Sequence, residues 1–128
     1  MAAPNILACT TATPHTVSIT PADASRNALV AAPSSGSAQK INQIIVANID
    51  GTAAYDATVE VRLADGTTYR SVASTISVPP DASLIVSDKT TMFYLLDTSV
   101  TGEASTLWAT SSVASKLTFT VSYETIAP

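Results

Sequence analysis

Few side chains in this sequence are equipped for chemistry. His15 is the only histidine and Cys9 the only cysteine. One of each cannot supply the N/S ligand set of a zinc site, and a lone cysteine closes no internal disulfide. A serine nucleophile would have to use His15 as its base, yet no G-x-S-x-G turn exists to raise the hydroxyl. An imidazole in an alternating run usually serves packing or solvation, and Cys9, within Ala-Cys-Thr-Thr, reads as a small apolar filler. Asp50, Asp65 and Asp81 fall in turns, and Asp56, Asp88 and Asp97 near strand ends. Aspartate favours such places because its carboxylate bonds nearby backbone N–H groups. No D-x-[DN]-x-[DN]-G calcium loop, phosphate cradle or nucleotide fingerprint occurs. The expectation is no catalytic residue, no metal and no cofactor. A hydrolase built on His15 would need a serine and a carboxylate within hydrogen-bonding reach.

The aromatic residues offer recognition rather than catalysis. Trp108 and the four tyrosines can stack on sugar rings or on a partner's surface. Tyr55 follows Gly51-Thr52-Ala53-Ala54, a segment expected to be an exposed loop, which makes it an interface candidate. The plainer alternative packs its ring back on its own sheet.

The elements that must position these residues follow from composition and period. A chain of 128 residues fits one domain, here 1–128, and 46% apolar residues with a mean hydropathy of +0.29 rule out wholesale disorder. Only 12% of residues are charged, so solubility rests on hydroxyls, with 19 Thr and 16 Ser. Net charge is -4 and the six basic residues are scattered singly, which leaves no nucleic-acid footprint. No apolar run approaches the roughly 18 residues that span a bilayer, so no membrane partner is expected. Met1-Ala2-Ala3-Pro4-Asn5 lacks the charged and apolar regions of a signal peptide. Synthesis and assembly in a reducing host cytoplasm are expected.

The dominant period is two. Leu117, Phe119, Val121 and Tyr123 share one strand face, and Val59, Val61 and Leu63 repeat the pattern before a hairpin step at Asp65-Gly66. Ile41–Ile49 carries apolar groups on both faces and reads as a strand covered on two sides or lying in the middle of a sheet. Further strands are expected at His15–Ile19, Asn27–Ala31, Thr68–Val72, Val72–Val78, Ser83–Ser87 and Thr106–Thr110, with a short apolar run at Met92–Leu95. Thr20-Pro21-Ala22-Asp23 has the form of a single helical turn. The fold class is all-β: an antiparallel, jelly-roll-like β-sandwich of about eight or nine short strands. Residues 1–14 are expected to form an extended N-terminal arm, in which Asn5–Cys9 either adds to a neighbour as a strand or begins the domain's own first strand.

Several segments resemble a known family. Lys40–Ile49 followed by Asp50-Gly51-Thr52-Ala53-Ala54 is similar to the "ki.sI.vaN.dgt.a" segment of small virion proteins of tailed phages with marine and cyanobacterial hosts. Ala57-Thr58-Val59-Glu60-Val61 continues the match. Ala73–Leu84 resembles "a.ti.VPa.asL", and Leu117–Ile126 resembles "l.v.vSyeeI". The match spans residues 40–126. It departs where the family has an acidic-Gly-Asp turn and this chain has Phe93–Glu103 as a longer loop. The resemblance implies a non-enzymatic virion structural protein, a capsid decoration or cement protein on the outer head, forming homo-oligomers and binding the major capsid protein. It also admits a neck, collar or minor tail position, and a carbohydrate-binding host-attachment module is a further alternative. Ile6, Leu7 and Tyr55 are the foremost contact candidates, followed by Phe93 and Tyr94.

Overall fold

A computed structural model describes residues 3–128. Among them are nine strands: β1 (Thr11–Ile19), β2 (Asn27–Val30), β3 (Ala38–Asn48), β4 (Tyr55–Leu63), β5 (Tyr69–Val78), β6 (Ser83–Ser87), β7 (Phe93–Leu96), β8 (Ala104–Ser111) and β9 (Leu117–Ala127). One 3-10 turn, Ile6–Ala8, precedes them, and the described residues include no α-helix.

All strand pairings are antiparallel. One sheet runs β1-β9-β3-β6, with β7 also paired to β3, and the other runs β2-β8-β4-β5. The pairings nest: β4 with β5, β3 with β6, β2 with β8, β1 with β9. The chain is a long hairpin folded over into two facing sheets, which is the wrapping of a jelly roll. Its tip is the step expected at Asp65-Gly66. Gly66 adopts φ 74, which glycine does without a Cβ penalty, and its N–H donates to the Leu63 carbonyl at 3.0 Å.

The core lies between the sheets. Leu117, Phe119 and Val121 of β9 are fully buried, with Tyr123 packed at the margin, as the alternation predicts. Val59 is buried opposite Ala109, and Val61 packs against the same cluster.

Strand β3 departs from one of its two readings. It is not covered on two sides but lies in the middle of its sheet, with β9 on one side and β6 and β7 on the other. Its register against β9 shifts between Ile41 and Gln43, where Ile41 faces Tyr123 and Gln43 faces Ser122. One extra residue reverses the phase of the pleat. Ile41 before the bulge and Ile44 and Val46 after it therefore all point inward. Strand β5 departs in a similar way. Two register shifts against β4 and a left-handed Thr75 (φ 52) break one strand into what the sequence presents as two.

Other differences are local. No helical turn forms at Thr20–Asp23, because Asp23 accepts the backbone N–H and hydroxyl of Ser25 and Pro21 gives its carbonyl to Ser115. Phe93 and Tyr94 lie in a strand rather than a loop. In the expected arm, residues 1 and 2 fall outside the described residues, Ile6–Ala8 form the 3-10 turn, and Thr11–Pro14 belong to β1. From Thr11 onward the segment completes the domain's own sheet by pairing with β9.

Each sheet edge is blunted. β1 carries Pro14, β2 and β7 have four residues each, β6 has five, and β5 holds the bulges. Short, bulged or proline-bearing edges discourage pairing with another chain.

The end of β3 is fixed by Asn48, which is 3% exposed. Its amide donates to the carbonyls of Ala53 (2.8 Å) and Val78 (3.0 Å), and its Oδ1 accepts the Asp50 N–H (2.9 Å). Asn48→Ala strands these three backbone groups and is expected to cost about 3 kcal/mol in urea unfolding.

Candidate functional site

The carboxylates bind their own loops. Asp23, Asp50, Asp88 and Asp97 each accept the backbone N–H and the hydroxyl of the Ser or Thr two residues on. Asp65 accepts the N–H of Thr67 and both the N–H and hydroxyl of Thr68. These Asp-x-Ser/Thr turns hold all five carboxyls below the ordinary aspartate value, the hydroxyl being the largest cause in each. No cluster of three or more His, Cys, Asp or Glu able to hold a metal ion is found among the described residues.

Tyr55 does not stand at a loop tip. It opens β4, is half-buried against the core, and donates its hydroxyl to Asp50 Oδ2 at 2.8 Å. That bond raises the phenol's pKa, while Lys116 Nζ approaches the same oxygen at 3.4 Å. Trp108 is likewise engaged. The Arg62 guanidinium lies 5.0 Å over its ring, Tyr69 meets it edge-on at 6.0 Å, and Nε1 donates to Thr106 Oγ1 at 2.8 Å. Arg26 completes the cluster, 3.8 Å over Tyr69 and bonded to Glu60 at 3.0 Å. These cation–π and ion-pair contacts cover one part of the outer face of the β2-β8-β4-β5 sheet, and an open pocket of about 450 Å3 lies beside them, lined by Arg26, Thr58, Glu60, Ser71, Thr75 and Thr110. Neither aromatic ring stands free as a sugar platform.

His15 is exposed on β1 and stacks on Tyr123, with centroids 4.8 Å apart. Among the described residues no serine or carboxylate is hydrogen-bonded to it. The partly exposed Cys9 thiol donates to the Asn5 carbonyl at 3.6 Å, so it is not the buried filler expected.

Three of the contact candidates do meet. Pro4, Ile6, Phe93, Tyr94, Leu96 and Glu103 line an open, mainly apolar groove of about 440 Å3. The sheet assembles it: Ala38 of β3 pairs with Ile126 on one side and Leu96 on the other, and the Thr10 N–H bonds the Ala127 carbonyl. The N-terminal turn is thereby carried to β7. Leu7, next to Ile6 in that turn, is 97% exposed. Tyr55 lies at the other end of β3, roughly 30 Å away at strand rise.

Sequence reasoning missed a second surface, the outer face of the β1-β9-β3-β6 sheet. Ile85 and Ile49 are each 58% exposed there. The only available signal was the outward phase of β3 beyond its bulge, which alternation does not disclose.

No protein-family model and no curated protein matches the chain. Solved structures do. The chain is similar to one described as the triple jelly roll fold and turret assembly in an archaeal virus, at 18% identity and TM-score 0.53. The match covers 93% of this chain and 30% of that one, the share that one of three jelly rolls would take. The fold is a jelly roll. Infectious bursal virus derived T=1 particles (16% identity, 89% of this chain, 31% of that chain, TM-score 0.36) and infectious bursal disease virus Gt strain (14%, 88%, 32%, TM-score 0.32) fall below a shared-fold score.

Asp65 yields a pH prediction. Its carboxyl is lowered from 3.8 to about 2 by the Thr68 hydroxyl and the N–H groups of Thr67 and Thr68. A depressed folded-state value contributes stability above the unfolded value and loses it as pH falls through the folded one. Asp65→Asn should therefore unfold at lower urea than the parent at neutral pH. The gap should narrow between about pH 4 and about pH 2, as read from urea titrations across that range.

Proposed function

We propose that the chain is a non-enzymatic virion structural protein, a decoration or cement subunit on the head shell of a tailed phage. Its partners are copies of itself and the major capsid protein. The observation that carries this reading is the jelly-roll fold, similar over 93% of the chain to a structure described as the triple jelly roll fold and turret assembly in an archaeal virus. The resemblance of residues 40–126 to small tailed-phage virion proteins supports it independently.

The physical mechanism is linkage. A subunit that binds only the assembled shell stabilises it by mass action, and weak contacts repeated over a lattice add through multivalency. The blunted edges favour docking through faces and through the N-terminal groove over strand addition. Leu7 and Ile6, beside Phe93 and Tyr94, form the first contact: apolar, projecting and bordered by a single carboxylate, Glu103. Tyr55, tied to Asp50, is a weaker contact.

The test is incorporation. Purified protein should bind mature capsids and raise their melting temperature, and image reconstruction should find it on the outer shell in hundreds of copies. About six or twelve copies on the tail axis would move it to the neck. Absence from purified virions overturns the reading. Leu7→Asp should change the folding free energy by no more than about 0.5 kcal/mol, because Leu7 is exposed. The same variant should weaken capsid binding at least tenfold.

A further inference from the structure

We infer that the open pocket on the outer face of the β2-β8-β4-β5 sheet binds a neutral saccharide. Hydrogen bonds to the Arg26–Glu60 pair and to the hydroxyls around it would hold the sugar. This goes beyond the assembly reading and does not rest on it, because the pocket is complete within one chain.

The sheet builds the pocket strand by strand. Thr110 of β8 lies directly opposite Thr58 of β4, and Ser71 of β5 lies opposite Glu60. Arg26, just before β2, reaches across to Glu60 and bonds both carboxylate oxygens, at 3.0 and 3.3 Å. Between Ala57 and Val59 the ladder shifts register, so Ser74 and Thr75 of β5 together face the single Thr58. Such a bulge re-aims side chains. Thr75 takes the left-handed region (φ 52), which a β-branched residue rarely tolerates, and its N–H donates to Thr58 Oγ1 at 3.0 Å. Backbone strain of this kind gathers at sites that hold ligands. The enclosed space of about 450 Å3 is in the range of small-molecule sites.

The lining selects the ligand. One guanidinium and one carboxylate offset each other, so neither an anion nor a cation is favoured. Ala24 is the one apolar residue at the border, and the Tyr69 and Trp108 rings are already covered by Arg26 and Arg62. An apolar ligand finds no wall here. A peptide strand would need a regular sheet edge, and a nucleic acid would need unpaired cations.

What remains is a set of groups that donate and accept at once. The Ser71, Thr75 and Thr110 hydroxyls bond no other described residue. The Glu60 side chain is only 14% exposed, and Arg26 takes one lone pair from each of its oxygens. The other lone pairs can accept two neighbouring hydroxyls as a fork. Arg26 spends two of its five N–H groups on Glu60 and keeps the rest to donate. A vicinal diol satisfies both partners. Each hydroxyl donates to the carboxylate and accepts from the guanidinium or from a Ser or Thr hydroxyl.

Amide-resolved NMR titration of the full chain with methyl glycosides of glucose, galactose, mannose and N-acetylglucosamine tests this. At least one should shift the Thr58, Glu60, Ser71 and Thr110 amides saturably, with a dissociation constant on the order of 1 mM. The value is weak because the pocket is open and no ring stacks on the sugar. Glu60→Gln should weaken the binding about tenfold. Thr110→Val keeps the branched shape and the ion pair but removes one hydroxyl, and should weaken it about fivefold at an unchanged melting temperature. Gln43→Ala, on the outer face of the other sheet, should leave it unaltered. No saturable shift with any of these glycosides at about 100 mM overturns the inference. So does binding indifferent to both Glu60→Gln and Thr110→Val, or shifts centred on Asn42, Gln43 and Ser122 instead. Sulfate or calcium acting on the same amides at lower concentration than every glycoside also overturns it, since the pocket would then select charge.

Discussion

The ladder between β3 and β9 is the constraint on which the rest depends. These two eleven-residue strands lie far apart in the sequence, and their pairing closes the second half of the chain onto the first. β1 is held by β9, while β6 and β7 are held by β3, so that whole sheet hangs on this pair. The ladder works only with its bulge. Without the extra residue between Ile41 and Gln43, either Ile41 or the pair Ile44 and Val46 would face solvent, and the core would lose fully buried aliphatic side chains. A single inserted residue lets one strand satisfy two hydrophobic phases.

Loops in a chain this poor in charge need another source of order. Five aspartates supply it by turning each carboxylate onto the N–H and hydroxyl groups that follow. Asp50 does more than the others. It receives Thr52, Tyr55 and Lys116 together, while its own N–H is held by Asn48, so the β3–β4 connection is a fixed corner. Those five carboxylates are consumed as structure. Hydroxyl-rich strand faces are left to meet solvent or neighbours.

What was legible in the sequence follows from where one face is buried and the register is unbroken. Leu117–Tyr123 and Val59–Val61 could be read because alternation there is the direct imprint of the core. The bulges in β3 and β5 could not, since an inserted residue looks like a second apolar face in one strand and like a strand break in the other. Residues Thr11–Thr16 are exposed on both faces, so burial imposes no pattern, and the start of β1 was hidden. Ile6, Phe93 and Tyr94 could be picked as contact residues by type. Their meeting in one groove could not be, because it is made by the flanking of Ala38 by Ile126 and Leu96. Tyr55 takes the plainer of its two readings for a related reason: the loop before it is pulled into the corner by Asn48 and Asp50, and its ring packs on its own sheet.

The blunted edges bear on how such a subunit can assemble. A β protein that joins its neighbours by adding strands needs a long, flat, unpaired edge, and that edge is also an aggregation template before assembly. Here Pro14, the short β2, β6 and β7, and the strained Thr75 deny that route at every margin. A neighbour would then have to be met by side chains on faces and on the N-terminal turn. Such contacts are smaller and reversible, so they hold only where many repeat. For the proposed role, that combination is what a lattice-bound subunit would require: a rigid body, closed margins and modest surfaces.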